Sequence, residues 1–302
     1  MGAIPRQVQK LVEERDKLRA HGSYEEGDAI RRRIEALGYE VKDTGKETEA
    51  MEKARQKALA VPYMVLFGSG EIAPSAQKVH DRVLKGIGKE EPSVVIFSTP
   101  AGFQPNVRAV CEGMADFFKE HLKNYHPHVQ IVYANTLEQA NNPLLLQPLD
   151  AADYIFAGPG SPTYAVRNLR GSALLAKIRE RVKAGASLGL ASAATMAFSR
   201  FCLPVYEIYK AGFDVYWADG LDFYAEVFRE LTVIPHFNNN EGGEKHDTSR
   251  AWMGKERFEK LIQMLPEGEK LWGIDEHTAV FINLQTRKAE TIGKGRLWEI
   301  TT

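Results

Sequence analysis

Ser187-Leu188-Gly189-Leu190-Ala191-Ser192-Ala193-Ala194-Thr195-Met196-Ala197 carries the most structural information in the chain. An apolar run of strand length enters a cluster of small residues around a serine and continues into a helical pattern. A nucleophile elbow needs this order. Its serine takes a strained backbone at the strand end, and small neighbours let the turn close. The following helix directs its free N–H groups at the reacting centre. The same residues also fit a packing site at a strand-to-helix turn, so Ser192 is a candidate nucleophile with a structural alternative.

On either side of this stretch, residues 61–302 alternate short β-branched or aromatic runs with helical stretches. Strands are expected at Tyr63–Phe67, Ser93–Ser98, Gln130–Tyr133, Tyr154–Ala157, Ser187–Ala191 and Leu231–Pro235. Helices are expected at Ser75–Lys85, Val107–Asn124, Thr163–Leu169, Leu174–Ala184 and Lys255–Met264. Such alternation predicts an α/β fold, a mostly parallel sheet with helices on both faces. Ala279–Leu284, Ala289–Ile292 and Arg296–Ile300 read as a closing antiparallel meander.

Two further turns are rich in glycine: Phe67-Gly68-Ser69-Gly70-Glu71 and Gly158-Pro159-Gly160-Ser161-Pro162-Thr163. Neither fits the dinucleotide or P-loop pattern. Both lie at carboxyl ends of strands, where open α/β sheets bind ligands. The N–H groups of Gly160 and Ala193 are candidates for an oxyanion hole. His236 ends the Leu231–Pro235 strand, where a general base would stand, with a core histidine as the alternative. Asp275 and Glu276 precede an apolar strand, and either could orient His236. The polar loop Asn238–Thr248 reads as a lid. Glu71, Ser161, Glu207, Asn238 and His246 are the candidate substrate-facing side chains. His246 and Asp247 lack identifiable partners for a metal, so no metal and no cofactor is expected.

The first 60 residues differ in composition. Val8, Leu11, Val12 and Leu18 fall near helical spacing; Ala29, Ile30, Ile34 and Leu37 form a second stripe. Gly22 and Gly38 offer stops, and Ser23 with Glu26 reads as a capping box. This predicts a helical hairpin at 1–60, with Glu47–Ala60 as a third helix or helical linker. The hairpin is too small for a core of its own and should dock on something. The domain division expected is 1–60 and 61–302.

Charge is balanced, with 39 basic and 40 acidic residues. That removes the electrostatic warrant for non-specific nucleic-acid binding. No run approaches the ~18 apolar residues of a membrane span, and the N-terminus lacks an apolar signal-peptide core. Cys111 and Cys202 are the only cysteines, too few for a disulfide framework or a cysteine zinc site. A soluble cytoplasmic protein is expected; Cys202, ten residues after the elbow serine, reads as a buried inert thiol, with a reactive role as the alternative.

With these motifs assembled, residues 61–302 resemble the cyanophycinase and aspartyl dipeptidase (peptidase E, serine peptidase S51) family of the class I glutamine amidotransferase-like fold. The resemblance rests on Gly158–Thr163, Ser192-Ala193-Ala194, Ile234-Pro235-His236 and Gly273-Ile274-Asp275-Glu276-His277-Thr278-Ala279. It implies Ser192 as nucleophile, His236 as base and Glu276 as orienting acid, with Asp275 second. The family's elbow is usually Ser-Ala-Gly; Ala194 stands in for that glycine, so the turn must accept a methyl group. A serine at the elbow also disfavours glutaminase chemistry, which uses cysteine. The implied function is hydrolysis of a small peptide or amide. The N-terminal hairpin resembles the C-terminal end of cysteinyl-tRNA synthetase, through Leu11–Asp16, Ala29–Arg31 and Leu37–Thr44, and more weakly the UvrB/UvrC interaction hairpin. That resemblance implies a protein or tRNA contact. The rival to a hydrolase is accordingly a binding or RNA-associated protein on an amidotransferase-like scaffold, and the distances among Ser192, His236 and Glu276 separate the two.

Overall fold

The computed structural model describes residues 5–44, 47–52 and 60–302. The chain divides into two units, Met1–Leu59 and Ala60–Thr302. In the first, helices α1 (Arg6–Ala20) and α2 (Tyr24–Ala36) are followed by antiparallel strands β1 (Tyr39–Thr44) and β2 (Glu47–Glu52). The helical hairpin is as expected, and Gly22 and Gly38 follow the two helices with φ of 78° and 89°. Three expectations are corrected. Ser23 makes no side-chain cap hydrogen bond. Glu47–Glu52 is a strand, because pairing with β1 satisfies its backbone and outweighs the helical propensity of Glu, Ala and Met; residues 53–59 lie outside the described residues. The unit also has a small core of its own, in which Tyr39 and Val41 of β1 join Val8, Leu11, Ile30 and Ile34.

The second unit is built on a seven-stranded sheet. Its elements are β3 (Tyr63–Phe67), α3 (Gln77–Ile87), β4 (Ser93–Phe97), α4 (Val107–His121), β5 (His128–Val132), single turns α5 (Leu137–Ala140) and α6 (Pro143–Leu146), β6 (Tyr154–Ala157), α7 (Pro162–Leu169), α8 (Ala173–Lys183), β7 (Ser187–Ala191) and α9 (Ala193–Ala197). Two-residue strands β8 (Phe201–Cys202) and β9 (Ala218–Asp219) precede β10 (Leu231–Ile234), α10 (Gly254–Gln263), β11 (Lys270–Ile274), β12 (Thr278–Asn283), β13 (Ala289–Gly293) and β14 (Leu297–Thr301). The order is β13-β12-β3-β7-β6-β4-β5. The five strands from β3 to β5 are parallel, and β12 and β13 close one edge antiparallel. The α/β class, with a mostly parallel sheet, is therefore observed.

Strand periodicity splits the interior into two cores. Met64 and Leu66 of β3 face the layer of Leu169, Leu174 and Ile178 from α7 and α8. Val65 and Phe67 face the layer of Val83, Met114 and Phe118 from α3 and α4. β7 is buried along its whole length, as a central strand covered on both faces must be. The expected closing meander is corrected. β14 leaves the central sheet and pairs antiparallel with β11, which itself pairs parallel with β10. This three-stranded sheet sets the ends of β10 and β11 beside the carboxyl ends of β3 and β7. Gly68 makes that approach possible: a Cβ there would lie 2.0 Å from the Asp275 carbonyl oxygen.

Candidate active site

Ser192 ends β7 with φ 50° and ψ −115°, a conformation that L-residues seldom adopt and that marks a strained turn. Ala191, Ala193 and Ala194 around it are buried. The Ala194 methyl is absorbed in the core with Leu190 and Phe198, so the elbow accepts alanine in the position of glycine.

The Oγ of Ser192 lies 3.0 Å from His236 Nε2, and His236 Nδ1 lies 3.0 Å from Glu276 Oε1. A carboxylate only accepts, so Nδ1–H donates to Glu276 and Nε2 is left to accept the serine hydroxyl proton. His236 also has positive φ, 52°, and its N–H donates to the Gly68 carbonyl. The strained backbone of the histidine is thereby tied to the end of β3.

Glu276 is held on two sides. Its N–H donates to Asn238 Oδ1 at 2.7 Å, and its Oε1 accepts from Asn239 Nδ2 at 2.9 Å. The hydrogen bond with His236, helped by Asn239, keeps the carboxyl below its ordinary range against the opposing effect of burial. Asp275 points elsewhere: its carboxylate accepts from the Arg296 N–H and from Trp298 Nε1.

On the other side of Ser192, Gly160 has φ 150°, and a Cβ there would meet the Pro100 carbonyl oxygen at 1.9 Å. Only glycine fits. The N–H groups of Gly160 and Ala193 have no backbone acceptor among the described residues. A pocket of about 350 Å³ opens between these groups, lined by Gly160, Pro162, Ser192, Met196, His236 and Trp252 among others.

The remaining candidates fall in four places. Ser161 and Glu207 line a neighbouring chamber. Asn238 is a support of Glu276, and His246 stacks on Tyr209, 5.9 Å between centroids, at the edge of the pocket. Glu71 is buried; desolvation raises its carboxyl above the ordinary value, opposed by a bond to its own backbone and by the charge of His236. Both thiols are buried and pushed up by desolvation, Cys111 to about 12.

Three participants escaped the sequence reading. Asn239 is buried at the acid. Trp252 lays its ring 4.9 Å from that of His236 and donates to Glu241. His80 of α3 donates from Nε2 to the Glu71 carbonyl and accepts the Tyr154 hydroxyl at Nδ1. A polar residue in the apolar stripe Val79, Val83, Leu84 was the available signal for His80.

The sequence profile of peptidase family S51 matches residues 64–289. The chain belongs to peptidase family S51. It is accordingly a serine-type peptide hydrolase. The S51 match begins after the N-terminal unit and takes in Ser192, His236 and Glu276. Among the solved structures that share the fold are two bacterial proteins. A peptidase from an acI-B1 Actinobacterium is 20% identical with a TM-score of 0.61, over 80% of this chain and 94% of that one. A Listeria monocytogenes EGD-e protein assigned to peptidase E is 16% identical with a TM-score of 0.52, over 78% of this chain and 100% of that one. No curated protein matches the chain. Among the described residues no helix is long and apolar enough to cross a membrane.

Proposed function

We propose that this S51 peptidase cleaves a small peptide or amide through a Ser192-His236-Glu276 triad. The observation that carries the reading is the continuous hydrogen-bonded chain from the elbow serine to a charged carboxylate. Ser192 Oγ attacks the scissile carbonyl while His236 Nε2 takes its proton. Glu276 stabilises the resulting imidazolium, and Asn239 keeps Glu276 in register. The tetrahedral oxyanion is received by the N–H groups of Gly160 and Ala193, neither of which is engaged by a backbone acceptor among the described residues. His236 then gives its proton to the leaving amine, and water repeats the sequence on the acyl-enzyme. Positioned side chains supply every proton transfer in this scheme.

The test is turnover across a dipeptide and amide library. Substrates of the wild type should lose ~10⁴–10⁶ in kcat with Ser192→Ala or His236→Ala, and the double variant should be little worse, as for residues acting as a unit. Retention of more than a tenth of wild-type kcat by either single variant contradicts the triad.

A further inference from the structure

Between the Asn238–Thr248 loop and α10 the backbone turns in the left-handed sense. Arg250, Ala251 and Trp252 follow one another with φ of 55°, 55° and 65°, and none of them is glycine. Left-handed backbone costs an L-residue free energy at every position, and it persists only where the surroundings hold it. Here the hold comes from the base and its neighbour. The Arg250 N–H donates to the Phe237 carbonyl at 2.9 Å, and the Ala251 N–H to the His236 carbonyl at 3.2 Å. The Trp252 N–H donates to the Thr248 carbonyl at 2.9 Å. Ala251 and Met253, on either side of Trp252, are buried in one core with Phe237.

The strained turn presents the Trp252 indole to the site. Its ring centroid lies 4.9 Å from that of His236, with the planes inclined at 51°. The indole lines the Ser192 pocket together with His236 and Met196. Its Nε1–H donates to Glu241 Oε2 at 3.2 Å. The Glu241 N–H donates to Asn239 Oδ1 at 3.3 Å, and Asn239 Nδ2 donates to the same Glu276 oxygen that receives His236 Nδ1–H. Indole, Glu241, Asn239, Glu276 and imidazole thus close a circle of contacts around the base. Trp252 is only half-buried, so the burial of its apolar surface does not by itself account for a backbone this strained.

We infer that Trp252 is a positioning residue of the reaction, its ring stabilising the imidazolium that His236 becomes when it takes the Ser192 proton. The inference rests on the triad reading of the adjoining groups. An aromatic ring within about 6 Å of a cation attracts it through the ring quadrupole. Neutral imidazole gains little from the same ring. The interaction therefore grows as the proton moves from Oγ to Nε2, which lowers the barrier and leaves the ground state nearly as it was. The indole exchanges no proton and acts only through His236.

The experiment needs no peptide. Diisopropyl fluorophosphate reacts with Ser192 through the same proton transfer, and intact mass spectrometry over time gives the second-order rate. Fluorinated tryptophans in place of Trp252 keep its shape and its Nε1–H while drawing negative charge off the ring. The rate should fall stepwise with one, two and three fluorines, and the urea midpoint should stay where it is. Trp252→Leu should lower the rate about five- to thirtyfold. Trp252→Phe, which keeps an aromatic ring, should stay within about threefold of wild type. With a substrate from the peptide library, the loss in Trp252→Leu should fall on kcat, with KM within about threefold. Rates that ignore fluorination, a leucine variant as fast as wild type, a phenylalanine variant as slow as the leucine one, or a loss confined to KM overturns the inference. If Trp252→Leu does not fold, the fluorine series still decides. A wild type that takes no label overturns the triad and the inference with it, whereas a labelled wild type with a flat fluorine series overturns the inference alone.

Discussion

Asp275 and Glu276 are adjacent acids with different partners, one facing backbone and indole donors and the other facing His236. Their amide variants should therefore fail in different ways. Asp275→Asn turns an acceptor into a donor against Arg296 or Trp298 and should lower stability by about 1–3 kcal/mol. Its kcat should stay within a few-fold. Glu276→Gln should leave stability nearly unchanged and lower kcat by about 10³–10⁴, because the imidazole loses its orienting anion. Urea titration and steady-state kinetics on both variants check the contrast; equal kinetic losses would contradict it. Ser192, His236 and the acidic pair were legible because each sits at a strand end flagged by its own neighbours. The sequence left Asp275 and Glu276 both open, since adjacent residues share one local pattern and are separated only by what comes near them. Asn239 and Trp252 were not legible for a related reason: their partners arrive from other elements.

At the scale of elements, α3 links the interior to the site through His80. Its ring stacks on Phe67 and meets Phe117, Phe118 and Phe156 edge-on, while its two nitrogens hold Glu71 and Tyr154. Burial lowers its pKa from 6.5 to about 4. Above pH 6.5 the residue is neutral in both states and its packing contributes in full. Between 6.5 and about 4 the unfolded chain binds the proton and the folded chain does not, so stability falls as pH falls. The lowered value corresponds to up to about 3 kcal/mol. His80→Gln should be less stable than wild type at pH 7.5, but the gap should narrow toward pH 4. Chemical denaturation at the two pH values checks this, and a constant gap would contradict it. The strands of the large sheet were readable because each carries its own apolar run. β11 and the departure of β14 were not. Lys270–Ile274 is short and contains Gly273, and antiparallel pairing of β14 with β11 or with β13 satisfies the same backbone equally well. Gly68, which lets the Asp275 turn approach, decides nothing until the fold is formed.

Across the whole molecule, two units with separate cores share one chain. The family match and all the candidate site residues lie in the second. A fragment beginning at Ala60 should therefore unfold cooperatively and keep the wild-type kcat/KM; loss of soluble folding would make the N-terminal unit part of the catalytic body. The catalytic assignment requires Ser192 to be an activated nucleophile. The most direct measurement is intact mass spectrometry after exposure to a fluorophosphonate probe. The Ser192-His236-Glu276 chain predicts a single adduct on Ser192, absent from Ser192→Ala and His236→Ala, with Cys111 and Cys202 unmodified. No adduct on the folded wild type, or an adduct undiminished in His236→Ala, would contradict it.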